Sequence, residues 1–135
     1  MAKRILVVDD HAPTRTLVRA ILESDRTEKF EIVEGSNGLE CLQRYEADGP
    51  FDLILLDVNM PEMDGYEACR LLREQGCRVP IVFVTANKDM KDYTAGRAAG
   101  GDSYLVKPVA RAALRSVVGL FTSVDRRRAG DPPPS

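Results

Sequence analysis

Asp57 directly follows four aliphatic residues, Leu53 to Leu56, and Asp9 and Asp10 directly follow another apolar run, Ile5 to Val8. A carboxylate at the end of a buried run is unfavourable unless something meets it, because desolvation penalises its charged form. Three carboxylates gathered at one place also repel one another, so the cluster calls for protons or a cation. An all-oxygen site with few protein ligands and room for water and a phosphate suits Mg²⁺, with Mn²⁺ as the substitute. Lys107 follows the run "SYLV" and supplies a fixed positive side chain, while Thr85 ends "IVFVT" and supplies a hydroxyl with the backbone N–H of Ala86 after it. A metal, an ammonium and neutral donors around a tetrahedral anion form the electrostatic arrangement that phosphoryl transfer needs. Asp57 is then the expected nucleophile, taking the phosphoryl group as an acyl phosphate that is later hydrolysed. Helix capping alone would explain Asp10, but not three carboxylates facing a lysine.

These residues meet only if the chain folds so as to bring the ends of several apolar runs together. The runs lie at 4–8, 30–33, 52–56, 81–85 and 103–106. The first, third and fourth are nearly continuous, as in central parallel strands buried on both faces, whereas "FEIV" alternates and belongs nearer an edge. Between them lie helical patterns. Leu17, Val18, Ile21 and Leu22 recur after a start at Asp10 with Pro13 in the first turn; Asn37-Gly38 opens a helix carrying Leu39 and Leu42; Asp64-Gly65 opens one carrying Tyr66, Cys69 and Leu72 with Arg70 and Arg73 exposed. Segment 89–99 is a weaker helix, because Gly96 costs about 1 kcal/mol relative to Ala. A last helix over about 109–121 places Val109, Ala113, Val117, Leu120 and Phe121 on one side and Arg111 and Arg115 on the other. The alternation predicts an α/β fold with a five-stranded, doubly wound parallel sheet, whose ligands bind beyond the carboxyl ends of the strands.

Composition bounds the rest. The chain has 135 residues, 44% hydrophobic and 30% charged, with net charge −2, which fits one ordinary core and argues against a polyanion binder. Cys41, Cys69 and Cys77 form neither a C-x-x-C pair nor a metal spacing and read as small apolar side chains on helices. The N-terminus lacks a signal pattern and no apolar stretch approaches the ~18 residues of a membrane span, so a cytoplasmic location is expected. The tail "DRRRAGDPPPS" has no apolar period; residues 1–122 are expected to form the domain and 123–135 a flexible Arg/Pro-rich end. No internal repeat is present, and no room is left for an output domain within this sequence.

Four motifs, "VVDD" at 7–10, "LLDVNMPEMDG" at 55–65, "VTA" at 84–86 and "YLVKP" at 104–108, resemble in order and spacing the receiver domain of two-component response regulators, over roughly residues 3–122. The resemblance implies the flavodoxin-like (βα)₅ fold with strand order 2-1-3-4-5. It implies phosphorylation of Asp57 by a histidine kinase or histidine phosphotransfer protein, with Mg²⁺ held by Asp9, Asp10, Asp57 and the main-chain carbonyl of Asn59. Lys107 would pair with the phosphate, Thr85 would move to hydrogen-bond it, and Tyr104 would turn inward when Thr85 moves. The Lys107-Pro108 bond would be cis. The chain would be no enzyme beyond acting on its own phosphorylation state. It would signal as a stand-alone, chemotaxis-receiver-like module, monomeric or dimerising on phosphorylation, without nucleic acid or membrane. Its downstream protein would dock on the face of the fourth helix, fifth strand and fifth helix, where Lys91, Arg97, Tyr104, Val106, Arg111 and Arg115 suggest an acidic partner.

Other positions refine the resemblance. His11, the only histidine, reads as a solvent-facing loop residue rather than a phosphohistidine. Asn59 and Asn87 lie where side chains would meet an attacking water and tune the acyl phosphate's lifetime. A second glycine and Ser103 in "AAGGDSYLVKPV" are expected to loosen the turn before the fifth strand. An aspartyl-phosphate phosphatase would want a carboxylate as general acid two residues past the nucleophile, where this chain has Asn59. A flavodoxin would need a phosphate-cradling first loop, and "DDHAPTR" opens with two acids. A receiver-shaped adaptor acting without phosphorylation would not need the full set of Asp9, Asp10, Asp57, Thr85 and Lys107.

Overall fold

A computed structural model of the chain describes residues 2–86 and 90–123, without the side chains of residues 90–92. Asn87, the side chain of Lys91 and the tail from residue 124 lie outside the described residues. The elements alternate as β1 (Lys3–Val8), α1 (Ala12–Glu23), β2 (Phe30–Gly35), α2 (Gly38–Asp48), β3 (Leu53–Asp57), α3 (Gly65–Glu74), β4 (Ile81–Thr85), α4 (Met90–Ala99), β5 (Ser103–Val106) and α5 (Arg111–Thr122). All strand pairs are parallel, in the order β2-β1-β3-β4-β5. This is the flavodoxin-like topology expected from the sequence, with the alternating strand β2 at an edge.

Every residue of β3 and β4 is buried, because the two-residue side-chain period sends successive side chains into two different cores. Leu6, Val8, Ile54, Leu56, Ile81 and Phe83 pack beneath Cys41, Ala68, Cys69 and Leu72 of the α2 and α3 side. Ile5, Val7, Leu53, Leu55, Val82 and Val84 pack against Val18, Ile21, Leu22, Leu114 and Val118 of α1 and α5. Each such aliphatic burial contributes about 1.5–3 kcal/mol, enough to hold polar groups at the sheet's end against their own preference for water. The three thiols are free and buried; Cys41 and Cys69 lie on helices, but Cys77 lies past the end of α3. Burial pushes the Cys41 thiol up to about 12 and Cys69 to about 11, leaving them as inert core groups.

The helix starts follow local chemistry with one correction. Asn37 Oδ1 accepts from Glu40 N–H at 2.8 Å, and Asp64 Oδ1 accepts from Glu67 N–H at 2.8 Å, so both predicted N-caps form. Helix α1 instead starts from His11, which makes no side-chain cap, with Pro13 in the first turn; Asp10 stays outside the helix. The predicted apolar faces shift in three places. Leu17 and Leu39 point to solvent, Leu39 at 57% exposure, and α5 buries Leu114, Val118 and the flank of Phe121 while Ala113 and Leu120 are exposed, Leu120 at 70%. Val109 is buried in the loop before α5 and not in the helix, so a count begun there sets the wrong phase.

The turn before β5 is tied, not loosened. Asp102 Oδ2 accepts from Ile81 N–H at 2.9 Å and pairs with Arg73 Nη2 at 3.0 Å. The same guanidinium donates to the carbonyls of Gly100, Cys77 and Val79, so Arg73, expected on the exposed face of α3, clamps α3 to the starts of β4 and β5. At Gly101 a Cβ would lie 2.1 Å from Phe83 Cε2, so the second glycine provides close approach to the core.

The turn that follows β3 depends on Gly65 in the same way. A Cβ there would stand 2.3 Å from the Asp57 carbonyl oxygen, while Gly65 N–H donates to Val58 O at 2.9 Å. Gly65→Ala is therefore expected to destabilise by roughly 2–4 kcal/mol, since backbone and not a movable side chain is in the way. Gly119→Ala, on the exposed side of α5 with nothing within 4 Å, is expected to stabilise by about 0.5–1 kcal/mol. Urea unfolding followed by far-ultraviolet circular dichroism checks both, and equal effects of the two substitutions would refute the packing argument.

Candidate functional site

The carboxyl ends of β1, β3, β4 and β5 bring together the residues that the sequence singled out. Asp57 is the last residue of β3 and Asp9 the first after β1; both are only 2% exposed, whereas Asp10 is exposed. Asp9, Asp10 and Asp57 each present a carboxylate oxygen, and these oxygens lie within 4.8 Å of one another. Lys107 Nζ, just beyond β5, stands 3.0 Å from Asp9 Oδ2 and 3.4 Å from Asp57 Oδ1. Asp9 Oδ1 accepts from His11 N–H at 2.9 Å, while its buried Oδ2 makes no well-formed hydrogen bond beside the Lys107 contact. Asn59 N–H approaches Asp57 Oδ1 at 3.3 Å.

Backbone contacts fix these positions. Lys107 N–H donates to Thr85 O at 2.8 Å, tying the lysine to the end of β4, and Val58 N–H donates to Val84 O at 3.3 Å just past Asp57. Thr85 is buried and Ala86 exposed at the adjoining strand end. The Lys107-Pro108 bond is cis, as the resemblance implies, and so is Gly49-Pro50. His11 is exposed, its Nδ1 2.9 Å from Thr14 Oγ1, which agrees with a loop role.

Electrostatically the site is a compromise. Burial pushes the Asp57 carboxyl up to about 7, the neighbouring Asp9 charge adds to the rise, and Lys107 opposes it. Burial draws Lys107 down, but the Asp9 and Asp57 carboxylates outweigh it and hold the ammonium above its ordinary range. The arrangement offers an oxygen nucleophile and an acidic cleft fitted to a divalent cation, with one lysine able to meet an anion.

Two features had no sequence signal. Arg15 Nη1 donates to the Asp9 carbonyl at 2.5 Å while its Nε pairs with Glu34 on β2 at 2.8 Å, bracing the turn that presents Asp9 and Asp10. Tyr66 Oη lies 2.9 Å from Tyr104 Oη, a contact between residues remote in sequence. One expectation is corrected. Arg111 donates to Ser24 Oγ at 2.9 Å and Arg115 pairs with Asp25 at 3.3 Å, so both cations engage the end of α1 and do not join Arg97 in a basic face beside α4.

A carboxyl whose value is raised on folding holds its proton more tightly in the folded state. Its contribution to stability is present below the ordinary carboxyl range and is lost as pH rises through about 7. In the presence of a chelator, Asp57→Asn should therefore exceed wild type in stability by roughly 1–3 kcal/mol above pH 8, with the gap closing as pH falls toward 4. Urea titrations across that range measure it, and a gap independent of pH would contradict the assigned charge.

Comparison with known proteins agrees with this geometry. The profile of the response regulator receiver domain matches residues 5–119. The alkaline phosphatase synthesis transcriptional regulatory protein PhoP of Bacillus subtilis is 40% identical over 108 residues, covering 80% of this chain and 43% of that protein. The chain spans about half the length of the curated relatives it matches. Among solved structures, the receiver domain of sensor histidine kinase PA1611 from Pseudomonas aeruginosa, with a magnesium ion in its active-site cleft, superposes with a TM-score of 0.81 at 31% identity, covering 92% of this chain and all of that one. The beryllofluoride-activated receiver domain of DrrB, from Thermotoga maritima, gives 0.79 at 27% identity, again covering 92% of this chain and all of that one. A match that runs through both cores and includes the acidic end of the sheet leaves one conclusion: the chain belongs to the family of response regulator receiver domains of two-component systems.

Proposed function

We propose that Asp57 accepts a phosphoryl group from the phosphohistidine of a partner histidine kinase or histidine phosphotransfer protein, in a Mg²⁺-dependent reaction. The observation that carries this reading is the convergence of Asp9, Asp10, Asp57 and Lys107 at one sheet edge, with three carboxylate oxygens within 4.8 Å. Those oxygens and the poorly satisfied Asp9 Oδ2 fit a hard cation, which Asp9, Asp10, Asp57 and the Asn59 carbonyl would hold, and Mn²⁺ could replace it. Such a cation supplies charge neutralisation for the crowded carboxylates and the incoming phosphoryl group.

The chain's own residues do the rest. An Asp57 carboxylate oxygen attacks phosphorus, the new O–P bond forms as the donor's P–N bond breaks, and the released electron pair stays on the imidazole. Ionised Asp57 is required, so the opposing charge of Lys107 matters before transfer as well as after it. Lys107 then turns to a phosphoryl oxygen, while the Thr85 hydroxyl and the Ala86 N–H donate to the others. Asn59 borders Asp57, beside the path of a water that would attack the phosphorus and leave the Asp57 carboxylate, which suits a role in the lifetime of the acyl phosphate. The chain acts on its own phosphorylation state and turns over no separate substrate.

Signalling then passes to a protein partner on the face of α4, β5 and α5, with the chain a monomer or a phosphorylation-dependent homodimer. Exposed Tyr93, Val106 and Arg97 mark that face. With Arg111 and Arg115 engaged elsewhere, the partner surface is mixed apolar and polar and not strongly acidic. Nucleic acid is outside this reading: net charge is −2, and Arg15, Arg19, Arg73, Arg111 and Arg115 all have internal partners. No helix among the described residues is long and apolar enough to cross a membrane, and the reading places the chain in the cytoplasm with its phosphoryl donor.

Incubation with Mg²⁺ and acetyl phosphate should add one phosphoryl group by mass, labile to both acid and base. Chelation and Asp57→Asn should each abolish the gain, and Lys107→Ala should slow it by at least about tenfold. A gain that survives Asp57→Asn would overturn the assignment.

A further inference from the structure

Tyr104 lies on β5, an edge strand from which a side chain could reach solvent, yet its ring lies inward. Its centroid is 5.3 Å from that of Phe83, its register partner on β4, and 5.2 Å from that of Tyr93 on α4, with which it stacks at 28°. Tyr66, at the start of α3, places its own ring edge-on to Phe83 at 5.0 Å and brings its hydroxyl 2.9 Å from Tyr104 Oη. The recess exists because α4 has no side chain at position 96. A Cβ on Gly96 would lie 2.1 Å from Tyr104 Oη and 2.7 Å from Cζ. The glycine that weakens α4 on propensity alone thus leaves room for the phenol.

We propose that Tyr66 is a positioning residue for the phosphorylation switch: its hydroxyl, together with the recess at Gly96, holds Tyr104 beneath α4 before any phosphoryl group arrives. The inference rests on the phosphorylation of Asp57 proposed above and on the expectation, implied by the family resemblance, that Tyr104 turns inward when Thr85 moves. A phosphoryl group can shift this equilibrium only by its differential affinity for the inward state. Where that state is already the major one at rest, phosphorylation changes Tyr104 little, and part of the output is present without it. Tyr66 therefore sets how much of the signal remains for the phosphoryl group to supply. It does so from α3, without touching the acidic cluster.

The test follows the Tyr104 ring by nuclear magnetic resonance in the full chain, using its cross-relaxation with Gly96, with and without Mg²⁺ and beryllofluoride. In wild type the Tyr104–Gly96 contact should be present at rest and beryllofluoride should change it little. In Tyr66→Phe, which keeps the ring and loses only the hydroxyl, the outward-to-inward ratio should rise about threefold to tenfold, and beryllofluoride should restore the contact. In Gly96→Ala the contact should be lost at rest, and the beryllofluoride concentration for half-saturation should rise. Identical Tyr104 signals in wild type and Tyr66→Phe, or a wild-type ring that turns inward only on adding beryllofluoride, would overturn the inference. If beryllofluoride fails to bind wild type, or binds Asp57→Asn equally, the proposed phosphorylation fails instead, while the resting spectra of wild type and Tyr66→Phe still decide the role of Tyr66.

Discussion

The structure turns on the mutual repulsion of Asp9 and Asp57, two carboxylates almost completely removed from water and brought to the same lysine. In solution such groups would separate or take up protons. Here neither strand can withdraw, because Val8 is in register with Leu56 between two filled cores and the ladder continues to Asp57 opposite Val84. Lys107 relieves part of the repulsion and stays because its backbone N–H is bonded to Thr85 O. The remaining imbalance appears as an Asp57 carboxyl raised to about 7, so near neutral pH this side chain gains its full charge only when positive charge collects around it. The proposed receptivity to a cation and to a phosphoryl group would thus follow from the same burial that makes the site unfavourable on its own.

The surrounding fold is organised to keep that edge in place. Glycines sit where helices or turns come closest to the sheet: Gly65 against the Asp57 carbonyl, Gly101 against Phe83 and Gly96 against Tyr104. Arginines close the gaps that remain. Arg15 spans from Glu34 to the Asp9 carbonyl on one side of the acidic cluster, and Arg73 joins α3 to the turns around β4 and β5 at the opposite end of the sheet. These charged groups act as multidentate donors to backbone carbonyls, a use that suits the planar guanidinium and leaves them little freedom to serve a partner.

What could be read in the sequence was what repeats or stands next in line. Parallel strands buried on both faces give unbroken apolar runs, and the sheet's ligand edge lies immediately past each run, so Asp9, Asp57, Thr85 and Lys107 could be placed together without coordinates. The caps Asn37 and Asp64 were legible because their partners are three residues away. The phase of α5 was not, because the buried Val109 belongs to the preceding loop, and Leu17 and Leu39 show that an apolar residue on a short helix need not face the core. Arg73 was read as exposed but is half-buried, while Arg111 and Arg115 are exposed as read yet have partners that the sequence did not show, since an arginine's partner depends on which carbonyl, hydroxyl or carboxylate the tertiary fold brings within reach. The Tyr66–Tyr104 pair is remote in sequence for the same reason.

The positions that sequence reading misjudged are therefore those where two elements meet, and such meetings give a domain with a shared architecture its own behaviour. The acidic cluster needs residues at the ends of strands, which any chain with these motifs supplies. The position of Tyr104 depends instead on what α3 and α4 place above Phe83, namely a hydroxyl at Tyr66 and an absent side chain at Gly96. Neither contact involves the acidic carboxylates, so the position of Tyr104 can be tuned while the proposed phosphate-accepting chemistry stays the same. In this chain the aromatic contacts of Tyr66, Phe83 and Tyr93 all favour the inward position of Tyr104. On the proposed function, the energetic demand on a phosphoryl group would be correspondingly small, because it would have only to stabilise an arrangement that the packing favours.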